Sequence, residues 1–220
     1  MMKKKPYPAR FFGHFSTICV HKFWVFYYCC KLGIPMQGIT HDLSKFSPVE
    51  FFEGVRYYTG DTSPINTAKD RKGYSDALMH HKGRNKHHYL FWMDRFDNGG
   101  YNLMMPFKYA LEQIADFMAA GRVYQKKAFT FRSEYNWWLN RKKQPLAMHP
   151  ALQEFNTVCL KTMMDKDRFL TTSEMWHIYQ DAVWAYQGKV EPFTLSTADK
   201  TAPKGIRTVK PSVTTRKNQG

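Results

Sequence analysis

Histidine is the residue whose distribution in this chain first suggests chemistry. Nine are present, and His21, the His41-Asp42 doublet and the pairs His80-His81 and His87-His88 crowd into its first half. Neutral imidazole and carboxylate are the usual nitrogen and oxygen ligands of Zn, Mn, Fe and Ni, and a helical bundle can aim several of them at one point. An adjacent His-Asp pair suits a helix end, where irregular backbone lets neighbouring side chains turn toward one ion. For a single histidine the plainer reading is a hydrogen-bonded or surface imidazole.

Context sharpens the choice. His21 lies in an aromatic segment where an unpaired imidazole is poorly solvated, so it needs a strong partner: a metal, or a hydrogen bond to backbone. Asp116 lies beside Ile114 and Met118 on an apolar stretch and also needs compensation, by a metal or by a salt bridge to Arg122 or Lys45. A second group, His81, Arg84, Asn85, His87 and His88, follows. In a helix His81, Arg84 and His88 share one face, able to bind phosphate through Arg84 and give up a proton through a histidine. A solvated basic surface is the alternative.

The order His21, His41-Asp42, Asp116 and the HD-x-x-K form of His41-Asp42-Leu43-Ser44-Lys45 resemble the HD-domain superfamily of metal-dependent phosphohydrolases. More closely, His21-Lys22-Phe23-Trp24-Val25, His41 through Pro48, Arg84-Asn85-Lys86-His87-His88 and Ala115 through Arg122 resemble an HD-like family of bacteria and phages without an assigned function. The likeness spans roughly residues 15 to 160, with several separate phrases in order. It implies an all-α, single-domain HD-like bundle and a divalent metal (Mn, Fe, Ni, Co, Zn or Mg) on His21, His41, Asp42 and Asp116. It also implies a second ion or the substrate near His81 and Asn85, with His81 fitting better than His80.

On that resemblance the expected activity is hydrolysis of a phosphomonoester or phosphodiester, with a nucleotide or related phosphoester as substrate. The metal would activate water and polarise the phosphoryl group. Lys45 and Arg84 would stabilise charge on the phosphate oxygens, and His87 or His88 would protonate the leaving group. The rival expectation is a catalytically inactive HD-like module that binds nucleic acid or a protein. Aromatic and basic residues interleaved over Tyr124–Trp138 and the basic C-terminal tail would serve it, although Trp137 and Trp138 read more simply as core or interface.

The elements that must position these residues read as helices. Phe15 to Leu32 is apolar without Gly or Pro, and Gly33 and Pro35 stop it. Ser47-Pro48-Val49-Glu50 resembles a helix start, predicting a helix to about Tyr58. Thr59–Gly73 reads as a surface loop, and Tyr74–Trp92 as helical with a break at Gly83. Asp97–Gly100 reads as a turn. Phe107, Leu111, Ile114 and Met118 recur at helical spacing after Pro106, ending at Gly121. Ser133–Leu139, Pro150–Met164 and Thr172–Tyr186 supply three further helices, the last capped by Thr172 or Ser173. No strand pattern of useful length is present.

A chain of 220 residues with 43% apolar content fills one core, expected over residues 11–188. The formal charge of +15 raises an anionic partner, but nine of those charges lie at the ends: a basic extension at 1–10 and a tail at 189–220. That tail is expected to be extended or disordered and is where nucleic acid would be attracted. Four cysteines without a CxxC pair suit a reducing cytoplasm, three of them in a segment expected to pack as core. Phe23–Cys30 is too short for a membrane span, and no signal peptide is expected, so the location expected is cytoplasmic.

Overall fold

Proline fits the first turn of a helix, because the N–H groups there have no intrahelical partner. Pro8 takes that place in α1 (Tyr7–Lys31), which therefore begins before the expected Phe15 and absorbs Tyr7–Arg10 of the basic N-terminal segment. The computed structural model describes residues 6–93, 102–144 and 146–186. Within them the chain is all-α, with a single β-bridge between Met93 and Asn102. Along α1, His14, Ile18, His21, Val25 and Tyr28 are buried at i, i+4, i+7, i+11 and i+14, one stripe that carries two histidines inward. The opposite face is open, so Cys19 and Cys30 are exposed, and of the three cysteines expected in the core only Cys29 is buried.

Pro35 ends one helix and opens another, α2 (Pro35–Thr40), after Gly33 turns the chain at φ 72°. A 3-10 turn, Leu43–Phe46, leads to α3 (Pro48–Tyr57), whose cap Ser47 accepts from the Glu50 N–H as the sequence predicts. The expected loop Thr59–Gly73 contains a helix instead, α4 (Pro64–Lys72). It buries only Pro64, Thr67 and Ala68 and exposes a basic face, so no apolar period advertises it. α5 (Asp76–Lys82) starts at the Ser75 cap and stops at Gly83, the break expected there. The Asp97–Gly100 turn and the 189–220 tail lie outside the described residues.

α6 (Phe107–Gln125) is the central helix and continues through Gly121. That glycine does not end the helix; a Cβ there would overlap the Glu134 carboxylate and the Phe129 ring. α7 (Phe131–Lys142), α8 (Pro150–Lys166) and α9 (Thr172–Ala185) complete the bundle. The cap of α9 is Thr171, one residue before the expected position, in a reciprocal pair with Glu174 that contributes about 1 kcal/mol.

The main core joins α1, α6, α8 and α9 around Phe107, Phe155, Trp176 and Tyr179, with Trp138 of α7 closing one side. Trp138 donates its indole N–H to Thr157 Oγ1 at 2.9 Å and is core, the simpler of its two readings. A smaller cluster of Ile18, Phe51 and Val55 ties α1 to α3. Between the two clusters lies a polar seam, with α1 and α6 on one side and α3, α5 and the His41-Asp42 segment on the other. Among the described residues no helix is long and apolar enough to cross a membrane.

Candidate metal centre

The doublet owes its geometry to a reversal at the end of α2. His41 leaves the helix at φ −51°, ψ 125°, and Asp42 sits at φ 52°, ψ 30°, a left-handed conformation that Asp tolerates better than most residues but that still stores strain. Lys22 pins this backbone by donating Nζ to the carbonyls of His41 at 2.6 Å and Ile39 at 3.2 Å. Two neighbours can thereby face one point.

At that point the expected four residues meet. His21 Nε2 lies 3.0 Å from Asp116 Oδ1, and His41 Nε2 lies 3.1 Å from Asp42 Oδ2 and 3.7 Å from Asp116 Oδ1. One donor atom from each of His21, His41, Asp42 and Asp116 falls within 4.8 Å of all the others, so the group could hold a metal ion. Asp116 does not pair with Arg122, which donates Nε to the Tyr28 hydroxyl at 2.9 Å. Lys45 gives its ammonium to Asp42 Oδ2 at 2.7 Å.

A second group shares Asp42. His81 Nε2 and His87 Nε2 approach Asp42 Oδ1 at 3.1 and 3.4 Å, and His81 Nε2 meets His88 Nε2 at 2.8 Å. Asp42, His81, His87 and His88 form another set with metal-ligand spacing. The path to this set differs from the expected helical face. α5 ends at Lys82, and turns after Gly83 fold His87 and His88 back over His81. Arg84 is consequently exposed, bonded to the His80 carbonyl at 3.2 Å and outside both groups. The Asn85 amide bonds Ser44 Oγ and the His81 carbonyl, both at 2.9 Å, and braces that turn.

Two carboxylates missed in the sequence orient these rings. Glu112 Oε1 accepts from Nδ1 of His41 at 2.9 Å and Nδ1 of His87 at 3.0 Å. Glu50 accepts from Nδ1 of His80 and Nδ1 of His81, each at 2.7 Å. Glu112 stands one helical turn before Asp116, and its spacing on an otherwise apolar helix was the signal available. From α8, Asn156 donates to Gln113 Oε1 at 2.9 Å, and Gln113 Nε2 donates to the His87 carbonyl at 3.0 Å, securing the loop to the core.

With Nδ1 of His41, His81 and His87 engaged, the opposite nitrogen of each ring is left to face the centre. Nε2 of His21, His41 and His87 and Oδ1 of Asp42 are all buried without a hydrogen-bond partner, their close approaches lacking hydrogen-bond alignment. Unmatched buried polar atoms are costly, and four converging ones fit a cation. The electrostatics agree. Burial disfavours charge on Asp42, yet His41, Lys45, His81 and His87 hold its pKa well below the carboxylate range. Asp116 is likewise held down against burial by His21 and His41. Burial opposes a proton on His41, but Asp42, Asp116 and Glu112 outweigh it and raise its pKa well above normal. Burial and nearby Lys45 depress His21 to about 4. His81 rises to about 9 because Asp42 and Glu50 overcome burial, whereas burial and the His87 and His81 rings press His88 well down. The anionic centre draws positive charge onto whichever groups can carry it.

A cavity of about 450 Å³ opens from the cluster, reaching past Asp42, Lys45 and Asp116 toward Tyr124, Glu134 and Trp137. Trp137 lines this cavity while remaining 43% exposed, and packs on Phe117. His149 caps α8 by accepting from the Ala151 N–H at 3.1 Å, and His177 is exposed, so both stand apart from the centre.

The chain belongs to the family of unknown function DUF5662, whose model matches residues 10–161. That span contains every residue of both ligand groups. No curated protein and no solved structure matches the chain.

Proposed function

We propose that this DUF5662 member is a metal-dependent phosphoester hydrolase of HD type, acting on a nucleotide or a related phosphoester. The observation that carries the reading is the convergence of buried, unmatched Nε2 atoms of His21, His41 and His87 on Asp42 while Glu112 holds two of those rings from behind. Such a carboxylate–histidine arrangement orients ligand lone pairs toward an ion. His21, His41, Asp42 and Asp116 would hold one divalent ion, and Asp42 with His81, His87 and His88 a second. When bound, the ions supply Lewis-acid activation of water and of the phosphoryl oxygens.

The chain's own residues do the rest. Lys45, 27% exposed and at the cavity wall, keeps its ammonium beside Asp42 and presents positive charge to a phosphate arriving there. Lys22 and the Asn156–Gln113 relay fix the backbones of His41 and His87, so the ligand set is in place before substrate binds. His87 and His88, expected as proton donors, are placed as ligands in this reading.

Elemental analysis of purified protein tests the proposal together with His41→Ala and Asp42→Ala. Bound divalent metal is expected in the parent, reduced in His41→Ala and lost in Asp42→Ala. A panel of phosphomonoesters, nucleotides and cyclic dinucleotides with Mn, Ni, Co or Mg should show turnover that the same changes abolish. Equal metal content in all three proteins overturns the metal site; absence of turnover across the whole panel overturns the hydrolase.

A further inference from the structure

We propose that Glu134 is the specificity-determining residue of a recognition subsite at the α6–α7 end of the cavity, where it hydrogen-bonds the uncharged, amide-like edge of a nucleobase. The inference rests on the phosphoester reading and adds the substrate's organic part to it. A cavity of about 450 Å³ is far larger than a phosphate needs and leaves room for an organic group attached to it.

Glu134 is only 3% exposed, yet it lines that cavity. Its place is constructed from three sides. Gly121 of α6 leaves out the Cβ that would collide with Oε2, and lies five residues past Asp116, about 7.5 Å along the helix. Gln125 donates Nε2 to Oε2 at 3.2 Å, and Ser133 Oγ stands within hydrogen-bond distance of both Gln125 Oε1 and the Thr130 carbonyl. Among the described residues no hydrogen bond takes Oε1, and no basic side chain pairs with the carboxyl.

A buried carboxyl without a cation keeps its proton. Burial, with Asp116 adding to it, raises Glu134 to about 8 against the weaker pull of Gln125. With Oε2 accepting from Gln125, the acid offers a hydroxyl donor at Oε1 and residual acceptor capacity beside it. That pairing matches the adjacent acceptors and donors on the edge of a nucleobase. The flanking Tyr124 and Trp137 rings give a planar group apolar surface to lie against. An anionic head would be repelled by Asp116 and would lack a counter-charge at Glu134. The phosphoryl group therefore belongs at the cluster and the neutral head at α7.

The test is calorimetric binding of adenosine, guanosine, cytidine and uridine to the full chain with metal chelated, using the parent, Glu134→Ala and Glu134→Gln. At least one nucleoside is expected to bind the parent, about tenfold more weakly to Glu134→Ala, and with intermediate affinity to Glu134→Gln. Metal content of the reloaded variants should match the parent, separating the subsite from the cluster. Absence of nucleoside binding to the folded parent, or affinity unchanged in Glu134→Ala, overturns the proposal. So does tighter binding of phosphoethanolamine that Glu134→Gln abolishes, because the subsite would then take a cation. Turnover of p-nitrophenyl phosphate without nucleoside binding defeats the subsite and leaves the hydrolase standing. Glu134-dependent nucleoside binding with no turnover of any phosphoester does the reverse.

Discussion

Glu112 Oε1 stands 2.9 Å from His41 Nδ1, and the same oxygen reaches His87 Nδ1, so one carboxylate sets the direction of a ring in each ligand group. Replacing it by Gln keeps the volume and one carbonyl oxygen but removes the negative charge that both Nδ1–H groups face. Glu112→Gln is expected to weaken metal binding by about 10- to 100-fold while the helical fold persists. Competition with a fluorescent chelator reads the affinity. Parental affinity in this variant would remove Glu112 from the orienting role.

Asp42 is shared, with Oδ2 beside His41 and Oδ1 facing His81 and His87. Two equivalents of metal per chain are therefore expected. His81→Ala should retain one, and Asp42→Ala should retain none. Metal-to-protein ratios after exhaustive dialysis decide this, and His81→Ala holding the same number of ions as the parent would exclude the second site.

Lys45 and Arg84 separate sharply in the structure although the sequence treats them alike. Lys45 reaches Asp42 at 2.7 Å; Arg84 reaches the His80 carbonyl on the outside. Lys45→Ala should lower kcat by a factor of about 10² to 10³ with metal retained, and Arg84→Ala should change it less than about twofold. A comparable loss in both variants would mean that Arg84 moves into the site when substrate binds.

The helical class was legible because apolar spacing is a short-range pattern, whereas the meeting of His21, His41, Asp42 and Asp116 spans most of the first half of the chain and was expected only from a resemblance of ordered phrases. What escaped depends on the chain's path. α4 was hidden because a helix that buries three small or rigid residues carries little periodicity. The His81–His88 meeting was expected from a continuous helix and is made instead by the turn after Gly83, which also turns Arg84 outward. Glu112 and Glu50 act on rings distant in sequence, and only the spacing of Glu112 one turn before Asp116 gave a local sign of either. Gly121 looked like a helix terminator and is a place of close approach for Glu134.

Glu134 makes the pH dependence of stability informative. Its carboxyl has a reference pKa of 4.5 and sits at about 8 in the fold, raised by burial and by Asp116, the charged group it senses. The unfolded chain loses this proton above 4.5, whereas the folded chain keeps it until about 8, so this group lowers stability progressively as pH rises between those values and no further beyond them. The full effect is on the order of 5 kcal/mol. Gln does not titrate, so Glu134→Gln should melt above the parent at pH 8 in chelator, with the gap closing toward pH 5. Metal at Asp116 offsets the neighbouring negative charge, and the gap at pH 8 should shrink when the ion is restored. Differential scanning calorimetry across that range supplies the measurement. A gap that is constant with pH, or that widens toward pH 5, would show that Glu134 is ionised in the fold at neutral pH and offers no neutral donor to the cavity.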